Sequence, residues 1–100
     1  MNGKAAIPVM DGQAVRNRIV EKLLRKRVVG SHKKQADTVV NWLPTHVQGR
    51  GERLLREMVR DPAVPVEGYG GSRDNVRLTS VEAAVSYLDG NDGDVPFGFE

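Results

Sequence analysis

The sequence predicts an α+β domain in which three helices precede a β-hairpin and a fourth helix closes the chain. Three observations predict it. Apolar residues recur with a helical period as far as Asp61-Pro62. The period then shortens to two, through Val64-Pro65-Val66-Glu67-Gly68-Tyr69 and Asn75-Val76-Arg77-Leu78-Thr79. Thr79 and Glu82 follow at capping-box spacing, and Val81, Ala84, Val85 and Leu88 return to one helical face.

Residues 1–11 read as an N-terminal arm, unstructured or a short edge strand, because Pro8 is excluded from a helix interior. Asp11 is placed to cap a first helix whose apolar side carries Val15, Ile19, Val20, Leu23 and Leu24. Arg25, Lys26 and Arg27 fall in its last turn, where cations favour the negative end of the dipole. Val28-Val29 is a short β-branched pair, and Gly30 is expected to break the helix.

Ser31 is the next cap, and Ala36, Val39, Val40 and Leu43 follow at i, i+3, i+4 and i+7. Pro44 ends this second helix by restricting Leu43. Thr45 and Gln48 form a capping box that opens a third helix, which runs to Arg60. Two amphipathic helices joined by so short a turn must cross steeply, as in a helix-turn-helix. Gly70-Gly71-Ser72-Arg73-Asp74 is turn material between the two strands, and Pro65 confines the first strand to an edge or to its first residues. Gly90 ends the fourth helix. The folded domain is thus expected to span residues 12–89, with residues 90–100 an acidic, flexible tail.

The third helix is the informative one. At about 100° per residue, Val47, Gly51, Leu54, Leu55 and Met58 share one side. His46, Gly49, Arg50, Arg53, Arg56, Glu57 and Arg60 share the other, which therefore projects mostly guanidinium groups. A solvated charged face is the ordinary reading of such a pattern. Trp42, the only tryptophan, lies off the second helix's stripe and is expected at the edge of the core.

Charge adds to this. The net +2 conceals four acids and no base in residues 89–100, leaving fifteen bases against nine acids, a net +6, on residues 1–88. Ten of the fifteen are arginine, whose planar fork suits phosphates and guanine edges. A polyanionic partner is the corresponding expectation.

Other classes find little support. Cysteine is absent, which removes disulfides and thiolate zinc sites. His32 and His46 are the only histidines and have no metal-binding spacing, so neither cofactor nor metal is expected. No serine stands in a nucleophile motif, and Gly68-Tyr69-Gly70-Gly71 precedes a strand rather than a helix, unlike a phosphate loop. Asp89, Asn91 and Glu100 match three calcium-loop positions, but Asp94 stands where the glycine is required. Enzyme activity is therefore not expected. No apolar run approaches a signal peptide or the ~18 residues of a membrane span, and a cytoplasmic location is expected. Only five residues are aromatic, two of them in the tail, which disfavours RNA binding by base stacking.

The order helix, brief strand, helix, tight turn, helix, hairpin, helix resembles a winged helix-turn-helix domain, across residues 12–89. Val76-Arg77-Leu78-Thr79-Ser80-Val81-Glu82 is similar to the junction of wing strand and final helix in small prokaryotic transcription regulators. The resemblance implies a three-helix core with a C-terminal hairpin wing, and a sequence-specific regulator of double-stranded DNA, acting as a homodimer. It implies that Thr45 to Arg56 enters the major groove, with Gln48, Arg50 and Arg53 as base readers and His46 on a phosphate. Gly49 would let backbone approach a phosphate, and Arg56 would join the contact surface. Lys33 and Lys34 would grip flanking backbone, and Arg73 at the hairpin tip would reach a minor groove or phosphate. Tyr87, Phe97 and Phe99 would be docking groups for the dimer. The rival implication is a winged-helix module that binds protein without DNA.

One departure stands out. Such regulators usually carry a valine or similar residue where Gly51 stands. Gly51 is expected either to allow close helix packing or to mark a later helix start. Gly49 and Gly51 together cost a helix roughly 2 kcal/mol relative to alanine.

Overall fold

The computed structural model describes residues 11–69 and 72–99, so the expectation of an arm over residues 1–10 lies outside the described residues. Helix α1 (Gly12–Arg25) starts where the Asp11 carboxylate accepts the Ala14 amide at 2.7 Å. Its five apolar residues, Val15, Ile19, Val20, Leu23 and Leu24, are completely buried, which makes α1 the centre of the core. It does not run to Gly30. Arg27 turns left-handed (φ 55°), its amide reaches Leu24 O, and the Val28 amide reaches Leu23 O. That pair of bonds is the Schellman closure, and it buries Val28 at the helix end.

The second helix also starts later than expected. Ser31 caps nothing in the structure, because Lys34–Gln35 forms a strand, β1, and α2 spans only Ala36–Asn41. A Trp42–Pro44 turn and one 3₁₀ turn (Thr45–Val47) lead into α3 (Gln48–Met58). The α-helix proper therefore begins three residues beyond Thr45. Of the two expectations for Gly51, close packing is the one met: its Cβ would overlap Leu43 Cδ1, whereas the helix starts ahead of it, at Gln48.

Strands β2 (Val66–Tyr69) and β3 (Ser72–Leu78) form the hairpin. Ser72, Arg73 and Asp74, expected in the turn, lie in β3, and the register shifts between Gly68 and Tyr69. The sheet is antiparallel with order β1-β3-β2, and Lys34 pairs with Val76. Helix α4 (Val81–Gly90) is capped by the Ser80 hydroxyl, which accepts the Ala83 amide at 3.0 Å; the cap lies one residue past Thr79. Val66, Val76 and Leu78 from the sheet, Leu54, Leu55 and Met58 from α3, and Ala84 and Leu88 from α4 close around α1.

The segment expected as an acidic tail makes contacts that its composition does not suggest: residues 91–99 pack on α1 and α4. Asn17 Nδ2 donates to Asn91 O at 2.9 Å, the Gly93 amide donates to Leu88 O at 2.8 Å, and Pro96 is buried. Phe99 lies against the core with the Arg27 guanidinium 4.6 Å from its ring centre. Tyr87 is likewise engaged, accepting a hydrogen bond from Gln13 Nε2 at 3.0 Å. Of the three expected docking groups, only Phe97 (96% exposed) projects outward. Trp42 sits at the core edge, as its sequence position suggests, with Lys26 Nζ 5.0 Å from its ring.

Candidate functional site

Helix α3 presents its surface because Gly51, Leu54, Leu55 and Met58 are drawn inward together. At about 100° per residue, the direction opposite these four is occupied by Gly49, Arg53, Arg56 and Arg60. All four are exposed. They form a ridge, with Glu52 on the flank facing the hairpin and Glu57 on the flank facing α1. Arg60 lies just past α3, where its amide still bonds to Glu57 O and keeps the turn helical. It belongs to the ridge although the motif argument stopped at Arg56. The exposed-face periodicity already contained it.

The ridge arginines differ in their partners. Arg56 Nη2 donates to Glu52 Oε2 at 2.9 Å, the favourable i, i+4 arrangement. Arg53 and Arg60 have no ionic partner among the described residues. On α1, by contrast, Glu21 lies 3.5 Å from Arg18 and 2.7 Å from Arg25. Arg77 is also committed, to Glu67 at 2.7 Å and to Gly30 O at 2.6 Å, tying β3 to the loop after α1. Along the exposed edge of α3 and the turn after it, Arg53 and Arg60 thus carry charge with no carboxylate in contact among the described residues.

Not every expected reader is on this ridge. Gln48 is half-buried, and its Nε2 donates to Leu43 O at 3.0 Å, closing the turn between α2 and α3. One of its two amide N–H donors is thus used inside the fold. Arg50 is exposed but lies about a quarter turn round the helix from the ridge. Thr45 and His46 are exposed in the 3₁₀ turn ahead of α3. Lys33 and Lys34 are exposed beside the sheet, on and just before β1 rather than at a helix start. Arg73 lies in β3 rather than at the tip, and its side chain falls outside the described residues.

Removing the Gln48 amide leaves Leu43 O without its partner in a part-buried turn. Gln48→Ala is expected to lower stability by about 1 kcal/mol, read as a shift in the urea midpoint. An unchanged midpoint would mean that water replaces the bond without loss.

Between α3 and the hairpin runs a groove of about 820 Å³. Leu55, Val59 and Val76 line it, and three carboxylates (Asp37, Glu52 and Asp74) accompany two guanidinia (Arg56 and Arg60). Such a lining gives a phosphate chain little reason to enter the groove. The outward edge of α3 is the attractive surface. Among the described residues, no group of His, Cys, Asp or Glu is arranged to hold a metal ion, and no helix is long and apolar enough to cross a membrane. No protein-family model, curated protein or solved structure matches the chain.

Proposed function

We propose that this chain is a winged helix-turn-helix domain that binds double-stranded DNA sequence-specifically as a transcription regulator, and that it is not an enzyme. In this reading α3 lies in the major groove, α2 and the Trp42–Pro44 turn brace it, and the β2–β3 hairpin is the wing. The observation that carries it is the α3 ridge: Arg53, Arg56 and Arg60 all exposed, and two of them without an ionic partner among the described residues. A helix with one buried face and a cationic opposite edge fits a groove lined by phosphates. The sheet order β1-β3-β2 supports the winged-helix assignment, because the short strand ahead of α2 pairs with the second strand of the hairpin, and α3 and the hairpin share a groove. Lys33 and Lys34 then flank the helix as backbone contacts.

Salt tests the reading. With about five phosphates neutralised, log K for a mixed-sequence duplex should fall against log salt with a slope of about −4 to −5. Fluorescence anisotropy between low and physiological salt measures it. A chain that binds no duplex even at low salt would sink the DNA reading and favour a protein partner.

A further inference from the structure

Resting on that reading, we infer that the α3 ridge selects major grooves bearing guanine, with Arg53 and Arg56 as the readers. The ridge is composed almost entirely of donors. The only side-chain amide of α3, Gln48, is half-buried off the ridge and donates to Leu43 O, so the ridge itself carries no amide to pair with adenine. No apolar side chain stands on the ridge to meet a thymine methyl. Val59 lies round toward the hairpin groove. Guanine alone offers two neighbouring acceptors, O6 and N7, to a guanidinium fork. Adenine sets a donor beside its acceptor, and cytosine presents a donor.

Spacing agrees. Arg53 and Arg56 are three residues apart, a rise of about 4.5 Å along the helix. One base step is about 3.4 Å, so the two forks meet neighbouring base pairs. Arg60 lies about 6 Å further on, beyond the last turn of α3, and meets backbone instead.

Glu52 adds a second selection. Its bond to Arg56 uses one of five guanidinium N–H groups and leaves the other four available to an acceptor. Its carboxylate stands on the flank of the ridge, where it accepts from an amine, of cytosine or of adenine, and is repelled by the bare acceptors of guanine and thymine. Against phosphate it is repulsive, so it penalises contacts out of register.

The test uses the full chain and two duplexes identical in length and charge, one carrying guanine and the other 7-deazaguanine at every such position. Only the N7 acceptor differs. The deaza duplex is expected to bind at least about fivefold more weakly, with the salt slope unchanged. Arg56→Lys keeps the charge and removes the fork. It should shrink this difference while keeping affinity for an all-A·T duplex within about twofold. Equal binding of both duplexes by the native chain, with the salt slope intact, overturns the guanine selection and leaves DNA binding standing. Absence of binding to either duplex at low salt overturns both.

Discussion

Gly51→Val is expected to destabilise the domain by about 2–3 kcal/mol and to lower Tm by roughly 10–20 °C. At this point α3 lies so close to the turn after α2 and to α1 that a Cβ overlaps Leu43 Cδ1 and lies 3.8 Å from Val15 Cγ1. Leu43 is 3% exposed and Val15 is completely buried, so neither has open space to retreat into. Replacing a helical glycine ordinarily gains up to about 1 kcal/mol, and a β-branched side chain keeps less of that gain. Overlap therefore wins for valine. Thermal unfolding followed by circular dichroism gives the answer, and a Tm within about 2 °C of the native chain would refute the close-packing argument. The glycine also serves the site indirectly. By letting α3 settle on α2 and α1, it fixes the face that remains outside.

What was legible from sequence was whatever depends on neighbours a few residues apart. The Asp11 cap, the buried stripe of α1 and the exposed arginines of α3 follow from a period of 3.6 and appear in the structure unchanged. The change of period at Asp61-Pro62 likewise marked the hairpin. Where two local solutions were nearly equal, sequence chose the wrong one. Thr79 and Ser80 are adjacent hydroxyl caps, and the structure uses Ser80. Ser31 was a sound local cap, but Lys34 and Gln35 pair with Val76 and Asn75 some forty residues away. That long-range ladder delays α2 to Ala36. The Gln48–Leu43 bond was illegible for a similar reason, because Leu43 O needs a donor only once the turn has closed. The contacts of the tail were not legible because their partners, Asn17, Leu88 and Arg27, belong to α1, α4 and the loop between α1 and β1. Composition alone gave it acids and glycines, a pattern that more often stays in solvent.

The second large effect separates the ridge from the other arginines of α3. Arg53→Ala combined with Arg56→Ala is expected to weaken binding to a preferred duplex by about 2–4 kcal/mol, roughly 30- to 1,000-fold. The sum of two such contacts could be larger, but neighbouring contacts on one helix share a docking geometry and do not add simply. Arg50→Ala should cost far less, about threefold or below, because Arg50 lies a quarter turn from the ridge and keeps mainly long-range attraction to phosphate. Stability offers no confounding loss of that size. Arg53 is exposed, and the exposed Glu52–Arg56 pair contributes about 0.3–0.5 kcal/mol at most. Both variants should therefore melt close to the native chain, which circular dichroism checks before any binding is measured. Random duplex provides the control: there the double variant should lose less than on the preferred site, because phosphate contacts from Lys33, Lys34 and Arg60 remain. If Arg50→Ala weakens specific binding as much as the double variant does, the helix enters the groove by its N-terminal flank and the ridge is not the reading edge.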